Sequence, residues 1–112
     1  MTTVVFLRDA QGIAGFEISG HTGYAEQGSD IVCSAVSTAT QATLMGIQEV
    51  LFLDVLVEKE EDRLLCQLPP FLTHNARVNV SILFETLRLT MKDIARQYPQ
   101  NVEVFEKEVQ HR

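Results

Sequence analysis

Between Ile31 and Gln48 the chain carries no charged side chain, and Val32, Val36, Ala39, Thr43 and Ile47 recur there at three- and four-residue spacing, with Val50 just beyond. That period is helical, and the absence of charge predicts a helix hidden on most of its faces. Ser34, Ala35, Ser37, Thr38, Ala39, Ala42 and Gly46 keep it slim, so it can pack closely against a sheet, a partner helix or both. Either Ser29 or Asp30 can cap its start, because a side-chain oxygen there accepts a bond from an unpaired first-turn amide. With Asp30 as the cap, Cys33 falls in the first turn.

The segments on either side have a different period. Val4 to Leu7, then Asp9-Ala10-Gln11-Gly12, then Ala14, Phe16 and Ile18 alternating with Gly15, Glu17 and Ser19, read as a β-hairpin. Gly20 to Ser29 has three glycines and no apolar period, which predicts a mobile loop. A second hairpin is expected from Val55 to Glu58 and from Leu64 to Leu68 around the acidic turn Lys59-Glu60-Glu61-Asp62, ended by Pro69-Pro70. Asn75 precedes a second helix with Val80, Leu83, Phe84, Leu87, Met91, Ile94 and Tyr98 on one face, and Pro99 closes it. Val102 to Phe105 reads as a short, charged edge strand. The order ββαββαβ predicts an α+β fold, a mostly antiparallel sheet with two helices packed on it.

At 112 residues, 1–112 is expected to form one domain. Folding at this size hides roughly two thirds of the unfolded chain's surface, so the core is not generous, and the slim helix adds a second reason to expect a homodimer. The formal charge of −6 argues against direct nucleic-acid or anionic-membrane binding, which draws on Lys and Arg displacing counterions. It fits either a basic partner or simply a soluble acidic protein. No apolar run approaches the ~20 residues of a membrane span and no signal-peptide pattern is present, so the expected location is the cytoplasm, where thiols stay reduced. Neither a G-x-G-x-x-G nor a P-loop is found. Nor do His21, Cys33, Cys66 and His74 have zinc-ligand spacing, so no metal and no cofactor is expected. Cys66 shares a strand face with Leu64 and Leu68 and reads as a core thiol; His74 reads as a loop residue at the surface.

Cys33 is where chemistry could sit. A helix start favours an anion, but its dipole is worth only ~0.3–1 kcal/mol, less than one pKa unit at ~1.36 kcal/mol each, so a useful thiolate needs a further base. His21, at the end of the strand that feeds the loop into the same helix, is the candidate: it could deprotonate the thiol and then protonate a leaving amine. Against this stands a plainer reading of Cys33 as a small buried residue.

Gly20-His21, followed by Gly28-Ser29-Asp30-Ile31-Val32-Cys33-Ser34-Ala35-Val36-Ser37, closely resembles the G-H…G-x-D-I-V-C-[AS]-A-V-S signature of the ribosomal-processing cysteine proteases, the Prp family. The resemblance implies an α+β homodimer of the bacterial cytoplasm in which Cys33 is the nucleophile and His21 its partner. It implies a substrate as well, the precursor of large-subunit ribosomal protein twenty-seven, whose N-terminal extension ends in paired phenylalanines. Gly20, Gly28, Asp30 and Ser37 match as supporting positions. Asp30 is expected to cap the helix and to help orient His21, while Ser37 either contacts the thiol or bonds back to a carbonyl. The oxyanion donor is expected to be the amide of Cys33 or a neighbour at the helix start. The loop from Thr22 to Ser29 is expected to act as a lid over bound peptide, with Tyr24 lining the groove or merely standing exposed. The alternatives to a thiol endopeptidase are a noncatalytic dimeric module that binds a basic ribosomal tail, and a small thioesterase using the same pair of residues.

Overall fold

A computed structural model describes residues 1–20 and 27–109 of the chain, and the side chains of residues 27–30 are left out of the description. His21, Tyr24 and the rest of 21–26 therefore lie outside the described residues. The elements are β1 (Thr2–Asp9), β2 (Gly12–Ser19), α1 (Gln27–Met45) continuing as a π-helical turn (Gly46–Val50), β3 (Leu56–Lys59), β4 (Arg63–Gln67), α2 (His74–Gln97) and β5 (Val102–Glu108).

They form a five-stranded sheet in the order β3-β4-β2-β1-β5. The two hairpins and the β2–β4 pairing are antiparallel, whereas β5 lies parallel to β1, so the sheet is mixed. The parallel pair follows from the connection: α2 carries the chain back across the sheet, and only such a crossover lets a strand run the same way as its neighbour. The charged last strand does lie at an edge, and it extends to Glu108, beyond the expected Phe105.

Alternation sets the two faces of the sheet. Phe6 is level with Phe16, Phe16 with Cys66 and Cys66 with Val57, giving an apolar row across four strands, and Val4, Ile18, Leu64 and Val104 form the next row. These rows meet Val32, Val36 and Ile47 from the first helical segment and Val80, Phe84, Leu87 and Met91 from α2, so both helices cover the same face. The Phe16 ring lies 6.0 Å from Phe84, edge to face, and 6.3 Å from Phe6. The small residues of this helical segment allow the close approach expected of them: at Gly46, the first residue of the π-helical turn, an added Cβ would stand 2.9 Å from Leu83 Cδ1.

Three expectations need correcting. The first helix is not hidden on most faces: Ile31 is 61% exposed, and Cys33, Ser34, Ser37, Thr38 and Gln41 are exposed too. Uncharged, small and hydroxylated side chains tolerate water as readily as burial, so the lack of charge overstated the cover. Second, α1 starts at Gln27 rather than after a cap at Ser29 or Asp30, and Gln27, Gly28 and Ser29 belong to it rather than to the loop. Ser and Asp are favoured throughout a first turn as well as at its cap, so they mark a start only to within a turn. Third, α2 begins at His74 and not after Asn75. Thr73 caps it, with its hydroxyl accepting from the Ala76 amide at 3.1 Å, and His74 is the exposed first residue of a helix rather than a loop residue. Among the described residues no helix is long and apolar enough to cross a membrane.

Candidate active site

Cys33 lies in the second turn of α1 and its side chain is exposed. This corrects its expected place in the first turn and removes the Cys33 amide as oxyanion donor, leaving the other expected donor, a neighbour at the helix start. Only the first amides of a helix lack a partner within it, so the Cys33 N–H is engaged by the carbonyl one turn back and is not spare. Exposure settles the other alternative: Cys33 is not a buried core residue. Ser37 is exposed one turn further along the same face, and Gln41 one turn beyond that.

The strand side of the site is built by the end of β2. Gly20 has φ +75°, a conformation that strains any residue with a Cβ, and a Cβ there would lie 2.4 Å from the Met1 carbonyl oxygen. Its amide donates to the Asp62 carbonyl at 3.0 Å, which ties the end of β2 to the β3–β4 turn. A groove of about 190 Å³ opens between this corner and α1. Ile18, Val36 and Leu64 supply its apolar lining, Gly20, Ser37 and Gln41 border it, and the turn Glu60-Glu61-Asp62 rims it. The sequence-predicted positions Gly20 and Ser37 are therefore brought together at one groove, next to Cys33 along the helix. Gly28 and Asp30 are in the first turn of α1, and His21 lies outside the described residues.

Cys66 plays no part in this site. It is fully buried under both helices, and burial pushes its thiol up to about 12 because a thiolate there would lose its hydration. Folded protein thus keeps the proton at a pH where an unfolded thiol near ~8.5 has lost it, so stability present below that value drains away as pH rises toward 12. Denaturant titrations from pH 9 to 11 are expected to show Cys66→Ala less stable at the start, since it loses packing. Its stability should also fall less steeply than wild type, by up to about 1.4 kcal/mol per pH unit.

An accessible thiol on a helix, beside a small open groove with an apolar bed and a charged border, is the equipment of a thiol enzyme that works on an extended chain. Comparison with known proteins makes the class specific. The family model for cysteine protease Prp matches residues 1–103. The ribosomal processing cysteine protease Prp of Bacillus subtilis (strain 168) is 28% identical over 96 residues, covering 84% of this chain and 86% of that protein. Among solved structures, SMU.848 of Streptococcus mutans superposes with a TM-score of 0.80 at 23% identity, covering 97% and 96% of the two chains. The essential ribosomal processing protease Prp of S. aureus, solved in complex with a substrate peptide, gives 0.81 at 16% identity over 96% and 100%. The chain belongs to the Prp family of cysteine proteases, and it shares their α+β fold of two helices on a mixed five-stranded sheet.

Proposed function

We propose that this cysteine protease removes the N-terminal extension of large-subunit ribosomal protein twenty-seven, with Cys33 as nucleophile and His21 as its base and acid. The observation that carries the reading is the exposed Cys33 at the position of the family signature's cysteine, in a chain the family model matches almost end to end. His21 takes the Sγ proton, and the thiolate attacks the scissile carbonyl. Collapse of the tetrahedral intermediate expels the amine, which leaves with the proton from His21, and water then hydrolyses the thioester. Gly20 supports the pairing, since the residue preceding His21 borders the same groove as Ser37, one turn from Cys33. Gly28 and Asp30 are assigned supporting roles at the helix start, Asp30 in orienting His21, and Ser37 a supporting role beside the thiol.

The substrate assignment draws support from relatives that are ribosomal processing proteases, one of them solved with a substrate peptide. The formal charge of −6 suits a basic ribosomal tail, because complementary charge speeds encounter. The reading includes a homodimer of the cytoplasm, and the open, uncharged face of α1 around Ile31 is a surface a second copy could cover. Incubating the protein with a peptide spanning the extension and the first mature residues is expected to give a single cut after the paired phenylalanines, read by mass spectrometry. His21→Ala should cut at least about 10²-fold more slowly. An intact peptide with the wild-type protein, or a His21→Ala variant as fast as wild type, would overturn the assignment.

A further inference from the structure

The groove beside Cys33 is too small for a free small-molecule ligand and well placed for part of a peptide. At about 190 Å³ it falls below the ~300–1,000 Å³ usual for small-molecule sites, and it has room for one long side chain. Cys33, Ser37 and Gln41 follow one another at helical-turn spacing, and the last two border the groove. At ~1.5 Å rise per residue, Ser37 stands about 6 Å and Gln41 about 12 Å along the axis from the thiol. An extended peptide advances ~3.3 Å per residue, so a chain whose carbonyl meets the sulfur reaches the groove about two to four residues away.

The walls define which side chain fits. Ile18, Val36 and Leu64 form an apolar bed, while the far rim carries Glu60, Glu61 and Asp62. Acidic turns at a surface are ordinarily just solvated; this one borders an open groove with an apolar bed. Of the two cations that also line the groove, Arg63 is held by Glu17 at 2.7 Å and lies within 3.6 Å of Glu58 and Glu60. Glu58 and Glu60 are thus shared with Arg63, and Lys59 is the other cation at the groove. Among the described residues Glu61 has no ion-pair partner. A side chain with an aliphatic stem and a cationic head would lay the stem on the bed and bring the head to this rim.

We propose that the groove is a substrate subsite selecting Lys or Arg two to four residues from the scissile bond, with Glu61 as its specificity-determining residue. This rests on Cys33 being the nucleophile, and the test separates the two. Peptides derived from the cleaved sequence, keeping the paired phenylalanines and carrying Lys, Ala or Glu at the third and fourth residues before the bond or the second to fourth after it, are compared by kcat/KM. Wild type is expected to prefer Lys over Glu at one of these positions by about fivefold or more, the scale of an ion pair at a partly open site. Glu61→Gln should reduce that ratio and Glu61→Lys should invert it, with circular dichroism verifying that both variants are folded. If the variants cleave with the wild-type ratio at every position, the subsite is wrong and the nucleophile assignment stands. If wild-type protein cleaves none of the peptides, the parent reading falls and the subsite falls with it.

Discussion

Replacing Cys33 by alanine is expected to abolish peptide cleavage, with kcat falling by about 10⁴-fold or more, while leaving the protein folded and nearly as stable as before. The chemical half of this follows from the role: without the sulfur there is no thioester, and the remaining groups can only bind the peptide and polarise its carbonyl. The stability half follows from the position. Cys33 is exposed on α1, outside the core formed by Val32 and Val36 with the sheet, and substitutions at such positions move stability by no more than about 0.5 kcal/mol. Cys33→Ser is the sharper control, since it keeps the shape and a hydroxyl but lowers nucleophilicity. Rates with peptide and with thioester substrates, measured beside a thermal melt, distinguish the readings. A variant that still cuts within about tenfold of wild type would exclude Cys33 as nucleophile, and retained biological activity without cutting would favour a binding module.

How much of this was legible beforehand depended on the range of the signal. Alternation is a local property of a strand, so Phe16 and Cys66 could be placed on inward faces from the sequence, and the structure lines them up across the sheet, with Phe6 of the unalternating run from Val4 to Leu7 beside them. Which strand lies beside which is not local. The parallel partnership of β5 with β1 joins residues about a hundred positions apart, as in the bond from Thr3 to Glu103 at 2.8 Å, and nothing in Val102 to Phe105 announces it. Helix starts were read from side chains that serve equally well as caps and as first-turn residues. Hence α2 opens directly after Thr73 where Asn75 marks its start in the sequence, and α1 opens earlier than Ser29 or Asp30 predicts. That shift has a chemical consequence, since it moves Cys33 from the open amides of a helix start to the interior of the helix. The signature positions themselves were legible because they repeat a family's pattern. The groove was not, because Leu64 and Glu61 come to it from a hairpin far along the chain from Ser37.

The largest loss of stability is expected at Phe16, where alanine should cost about 3–5 kcal/mol of the 5–15 kcal/mol typical of a whole domain. Phe16 has no exposed surface and stands where three layers of contact meet: Phe6 on β1, Cys66 on β4 and Phe84 on α2. A void there cannot readily collapse, because its walls are hydrogen-bonded strands on one side and a helix on the other, and the ring-to-ring contacts are lost along with the buried area. For a chain of this size the melting temperature should drop by about 15 °C or more. Phe16→Leu, which keeps most of the volume, should lose far less. The effect on activity separates this substitution from any at the site. Phe16 lies on the strand that ends at Ser19 and leads through Gly20 to the groove, so Phe16→Ala should lose activity in step with its own unfolding, and cooling below its new melting point should restore near-wild-type turnover. Cys33→Ala would stay inactive at every temperature. A Phe16→Ala protein that remained inactive in the cold while fully folded would show that the core around β2 sets the geometry of the groove as well as the stability of the fold.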